Sequence, residues 1–158
     1  MRSKKVVKNQ STITKTSLDE KFIGRSKELQ ILLSLKKKQT SSLIVIRGRR
    51  RIGKSRLIAE YGKEFKNYIE IQGLSNEEAS NNQDQLEHFA LKLSIYFKTV
   101  KEVYTDWTEA FHSLAEKTKN GEWLVHFDEI SWMGQFDPLF SAKLKEAWDT
   151  AFYKNSNL

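Results

Sequence analysis

The chain has 158 residues, with 27 Lys and Arg against 20 Asp and Glu for a net charge of +7, a length that suits one domain with a real core. It contains no Cys, which excludes a disulfide framework, a cysteine nucleophile and thiolate metal sites. Only 7 Gly and 1 Pro beside 39% hydrophobic residues exclude a collagen-like or low-complexity chain. No apolar run reaches the ~18 residues of a membrane span. The polar start MRSKKVVKNQSTITKTS also lacks the apolar segment of a secretory signal. The reading is a cytoplasmic domain without membrane contact.

Charge is spread unevenly. Residues 1–63 carry 18 basic and 4 acidic side chains, net +14, and residues 64–158 carry 9 and 16, net −7. A basic first half suits an anionic partner, either nucleic acid or a phosphate ligand. Ordinary solvated lysines are the plainer alternative.

Residues 1–18 have no apolar periodicity and read as a basic flexible tail, which leaves 19–158 as the folded part. The spacing predicts a helix over 26–38 with Leu29, Leu32 and Leu33 on one face, and Lys36, Lys37 and Lys38 where they complement the macrodipole. Leu43–Ile46 is a short β-branched run and reads as a buried parallel strand. A glycine-bounded loop over 48–53 leads into a helix over 54–66, and Tyr68–Gln72 reads as a second strand ended by Gly73. A polar connector at 75–83 precedes a helix over 84–98 carrying Leu86, Phe89, Ala90, Leu93 and Phe97. Another, over 106–118, aligns Trp107, Ala110, Phe111 and Leu114; these stripes read as core rather than as platforms for bases.

Asn120-Gly121 marks a turn before a third strand, Trp123–Phe127, which runs into Asp128-Glu129. Asp137-Pro138 has the cap-then-proline order of a helix start, and the helix after it carries Phe140, Leu144, Ala147, Trp148 and Ala151. Strands alternating with helices predict an α/β fold with a parallel sheet flanked by helices.

The chemistry concentrates in Gly48-Arg49-Arg50-Arg51-Ile52-Gly53-Lys54-Ser55, which fits G-x-x-x-x-G-K-[ST] at every fixed position. Average residue usage gives a chance match on the order of one in two hundred in a chain this long. The glycines let the backbone curl so that successive N–H groups face phosphate oxygens. Lys54 can reach the β- and γ-phosphates, the Ser55 hydroxyl can ligate magnesium, and the following helix offers its positive end to the same anion. Asp128 at the end of an apolar strand suits a magnesium-holding carboxylate, and Glu129 beside it suits a general base that polarises water.

The three loop arginines could grip phosphate or nucleic acid; the reading adopted is that at least two of them pair with carboxylates on neighbouring elements. His126 alternates with Val125 and Phe127 and reads as a core histidine under a covering helix. His88 and His112 lack ligand spacing, and no nucleophile elbow occurs. Thr118-Lys119-Asn120-Gly121 lacks the aspartate of a guanine-reading element, which argues for adenine.

Three segments together resemble a known family. Phe22-Ile23-Gly24-Arg25 with Glu28-Leu29, then Arg47 to Leu57, then Phe127-Asp128-Glu129, look like the AAA-type P-loop ATPases of the archaeal/bacterial "ATPase domain" family, relatives of the signal-transducing STAND group. The resemblance runs from residue 20 onward, and the triple-arginine loop is its most specific mark. It implies a P-loop NTPase fold and binding of ATP, with Mg2+-dependent hydrolysis in the intact family domain. Gly48, Arg49, Arg50, Arg51, Ile52, Gly53, Lys54, Ser55 and Arg56 would then form the Walker A loop around the phosphates. Ser55 and Asp128, the latter in the Walker B position, would hold magnesium. Lys54 and Glu129 would be catalytic, and Phe22, Ile23 and Gly24 would lie against adenine. An apolar staple ahead of the first helix is an alternative role for those last three.

The family pattern also places a strand with a polar sensor residue between the acidic-pair strand and the loop strand, then a further strand and a helical lid. Here residues 155–158, Asn-Ser-Asn-Leu, stand where the sensor strand should begin. The expectation is therefore a truncated product or fragment with an incomplete sheet, free to self-associate through unpaired strand edges. Two other functions fit parts of the pattern. One is a small-molecule phosphotransferase using the same loop; the other is a basic nucleic-acid-binding module over residues 1–56.

Overall fold

The computed structural model describes residues 24–38 and 40–155, so the expectations for the 1–18 tail and for Phe22 and Ile23 lie outside the described residues. The fold is mixed α/β. In chain order the elements are α1 (Ser26–Lys36), α2 (Lys54–Gly62), β1 (Asn67–Gln72), α3 (Asn82–Phe97), α4 (Trp107–Lys117), β2 (Trp123–Asp128), α5 (Ile130–Met133) and α6 (Phe140–Thr150), followed by a 3₁₀ turn over Phe152–Lys154. Among the described residues no helix is long and apolar enough to cross a membrane.

The two strands pair in parallel, with Glu70 opposite His126 and Gln72 opposite Asp128. Alternation sorts their side chains onto two faces. Ile69 and Ile71, with Val125 and Phe127, join the main core formed by α3, α4 and α6. Leu124 turns the other way and packs with Leu32 of α1 and Leu57 and Tyr61 of α2.

The helices form where capping and periodicity agree. The Asn81 side chain accepts the Asp84 amide at the start of α3, and the Asp106 side chain accepts the Thr108 amide at the start of α4. Phe89, Trp107, Phe111 and Leu114 are then wholly buried. Trp107 meets the rings of Phe89, Phe111 and Phe140 with centroids 5.4, 5.3 and 4.9 Å away. Its indole N–H donates to Asn82 Oδ1 over 2.8 Å, so the polar edge of this large core residue is satisfied.

Three local expectations are corrected. Leu43–Ile46 is not a strand: it forms no ladder, and Leu43 and Val45 are 57% and 68% exposed. Ile44 and Ile46 pack onto the smaller cluster, so the stretch is half-buried and unpaired rather than a sheet member. A strand needs a neighbour for its N–H and C=O groups, and an open cavity of about 1150 Å³ separates this stretch from β2. The helix expected to run to 66 ends at Gly62, where the Tyr68 ring lies 3.3 Å from where a Cβ would stand; residues to Phe65 continue as turns.

Asp137-Pro138 opens a turn rather than α6 itself. The Asp137 carboxylate accepts the Leu139 amide over 2.9 Å and pairs with Lys143, and the helix proper starts at Phe140. The short helix α5 was not anticipated.

Candidate functional site

Gly48 to Lys54 forms a curled loop between the extended 43–47 stretch and α2. A Cβ at Gly48 would lie 2.4 Å from Ile52 Cδ1, the end of an exposed side chain that would have to move aside. Gly53 has φ +82 and caps α2, a backbone state glycine adopts without strain. Arg51 takes φ 63, a left-handed conformation uncommon for a long side chain. The curl wraps the Lys54 ammonium, which donates to the carbonyls of Gly48 and Arg49 over 3.1 and 3.0 Å. Arg25 reaches the same loop from the start of α1, its guanidinium 3.5 Å from the Ile52 carbonyl.

Ser55, in the first turn of α2, faces the end of β2. Its hydroxyl donates to Asp128 Oδ2 over 3.3 Å, and the other oxygen of that carboxylate accepts the Glu129 amide over 3.1 Å. Glu129 has φ 48 and turns the chain sharply out of the strand into α5. Such a backbone state in a non-glycine residue costs on the order of 1–3 kcal/mol and is met at functional sites. Gly73, at the end of β1, makes room for it: a Cβ there would come within 2.8 Å of the Glu129 carbonyl and of the Met133 amide nitrogen.

Lys54, Gly48, Arg50, Asp128 and Glu129 therefore line one end of the cavity. Its sides are the 43–47 stretch and β2 from Trp123 to Asp128. Among the described residues no group of three or more His, Asp or Glu is arranged to hold a metal ion. A magnesium ion does not need one. It keeps several waters and uses one or two protein oxygens together with phosphate, and Ser55 Oγ with Asp128 offers that kind of donor set.

Of the loop arginines, Arg50 lies with its Nε 3.7 Å from Glu129 Oε1. Among the described residues neither Arg49 nor Arg51 has an ion pair, so the expectation that two or more would pair with carboxylates is corrected to one. Both are exposed, as are Ile52, Gly53, Ser55 and Arg56. Gly24 is exposed too, at φ +91, and a Cβ there would meet nothing within 4 Å.

His126 is buried as expected, but it lines the open cavity instead of facing a covering helix. Its Nδ1 lies 3.1 Å from the Tyr68 hydroxyl, which donates to Glu70 Oε2 over 2.9 Å. Burial holds the imidazole below its ordinary pKa against the opposing pull of the Glu70 and Asp128 carboxylates. Burial, with the hydrogen bond to Glu70, pushes the Tyr68 phenol well up.

Sequence reasoning missed Trp132 on α5, whose ring lies 5.2 Å from the Arg50 guanidinium carbon. It also missed Gly73 as the residue that lets Glu129 turn. Spacing gave no sign of either, because both contacts are set by the bend after β2. No family model, curated protein or solved structure matches the chain.

Proposed function

We propose that this chain is an ATP-binding domain of the P-loop NTPase class, built like an AAA-type ATPase and loaded with magnesium. The observation that carries the reading is the meeting of Ser55 and Asp128. A hydroxyl directly after the loop lysine and a carboxylate at a distant strand end come within 3.3 Å, and these two oxygens would hold a magnesium ion beside bound phosphate.

Lys54 supports the same reading. Its ammonium sits inside the curl, held by two carbonyls that a triphosphate's oxygens would replace as partners. The amides at the start of α2 lie beside it. Bound magnesium would supply charge neutralisation at the β- and γ-phosphates. Glu129, next to Asp128 and lining the same cavity, would serve as the base that takes a proton from water.

Nucleotide binding is the property this reading assigns to the chain first, with magnesium-dependent hydrolysis as the reaction Glu129 would serve. The Lys54→Ala and Glu129→Gln variants test the reading. The first loses ATP binding without unfolding; the second keeps binding and loses any turnover. A Lys54→Ala protein with wild-type ATP affinity contradicts it.

A further inference from the structure

Arg50 stands between two residues that the loop pattern does not connect. Its Nε lies 3.7 Å from Glu129 Oε1 and its guanidinium carbon 5.2 Å from the centre of the Trp132 ring. Glu129 and Trp132 are tied to each other, since the Trp132 amide donates to the Glu129 carbonyl over 2.8 Å. The carboxylate and the indole thus form one cradle for one cation.

We infer that Arg50 is a positioning residue for Glu129, holding its carboxylate while the loop is empty and releasing it when a polyphosphate enters. The inference rests on the polyphosphate reading above. The Arg50 side chain is 70% exposed and the Glu129 side chain 31% exposed, and an ion pair this open is held weakly enough to be exchanged. Arg50 also belongs to the loop itself, between Gly48 and Gly53, so the polyphosphate that fills the curl is a neighbouring and more highly charged partner.

The exchange has a direction. Paired with Arg50, the Glu129 carboxylate is engaged by a cation and poorly placed to take a proton from water. Once Arg50 swings to phosphate, Glu129 is unpaired only when substrate is present. The same movement carries the guanidinium from Glu129 toward the ligand and so changes its contact with the Trp132 ring, 5.2 Å away in the empty loop.

Trp132 emission reads this directly. The chain has four tryptophans, so the Trp132 contribution is taken as the difference between the wild type and Trp132→Phe. ATP with magnesium, and separately inorganic tripolyphosphate, is added to the full chain while calorimetry records binding in parallel. The expected result is a ligand-dependent change in Trp132 emission in the wild type. In Arg50→Gln the ligand-free emission already matches the bound wild type and no further change follows. Arg50→Lys, which keeps a cation over the ring, restores a response.

Binding heat in the wild type with no Trp132-dependent change overturns the inference and leaves the ATP reading standing. So does a wild-type response in Arg50→Gln. An absence of heat from the wild type overturns the ATP reading itself, and the exchange falls with it.

Discussion

The Ser55 hydroxyl donates to the Asp128 carboxylate over 3.3 Å, joining the first turn of α2 to the end of β2 across 73 positions of sequence. The bond is exposed, so it contributes little to stability. Under the proposed function its importance lies in the two oxygens it brings together.

Ser55→Ala is expected to leave thermal stability within about 0.5 kcal/mol of wild type. It should reduce the gain in ATP affinity from magnesium by about 10-fold, the scale of one lost ligand contact worth ~1.4 kcal/mol. Titrations with and without magnesium measure that gain. Affinity in magnesium-free buffer should stay at the wild-type level, because the loop amides and Lys54 are untouched.

Phe111 is wholly buried, and its ring centroid lies within 6.2 Å of those of Phe89, Trp107 and Phe140. Phe111→Ala should cost about 3–5 kcal/mol. Denaturant unfolding followed by near-ultraviolet circular dichroism checks this, and a loss below about 1 kcal/mol would mean that the cluster is not packed as described.

His126 makes stability depend on pH near neutrality. Burial lowers its folded pKa below the ordinary 6.5, so on acidification the unfolded chain takes up the proton first. The contribution is present above 6.5 and is lost as pH falls below it. The stability difference between wild type and His126→Gln should therefore shift against the wild type between about pH 8 and about pH 5. Parallel urea curves across that range check the sign.

Glu102 acts at lower pH. Hydrogen bonds from Lys117, and then from Tyr104 and Ser113, hold its carboxyl down at about 2 from an ordinary 4.5. Its contribution is complete above 4.5 and is lost as pH falls toward 2. The side chain is 43% exposed, which limits the effect to below about 1 kcal/mol. Glu102→Gln should be less stable than wild type near neutral pH, and the two should converge in acid melts.

Unpaired edges should show as self-association. Among the described residues β2 pairs with β1 alone, and Leu43 and Val45 are exposed on the opposite side of the cavity. Sedimentation velocity should find mass rising with protein concentration, and Val45→Lys, which puts a charge on the exposed side, should reduce it.

Much of this architecture is legible in the residue pattern. α3 and α4 announce themselves because Leu86, Phe89 and Leu93, and Trp107, Phe111 and Leu114, repeat at helical spacing behind good caps. β1 and β2 are readable because each has a buried side that alternates and a neighbour to pair with. Leu43–Ile46 is richer in β-branched residues than either and still forms no strand, since strand formation depends on a partner edge that composition cannot report. At the site, the loop pattern locates Lys54 and Ser55, and the acidic pair locates Asp128. The Arg50 cradle is not legible, because it depends on the left-handed turn at Glu129 that brings Trp132 back toward the loop.

The most direct measurement of the central claim is a calorimetric titration of the wild-type chain with ATP, repeated without magnesium. A saturable heat that strengthens with magnesium is the result this account predicts. No heat at any ATP concentration, with the protein folded and soluble, would contradict it.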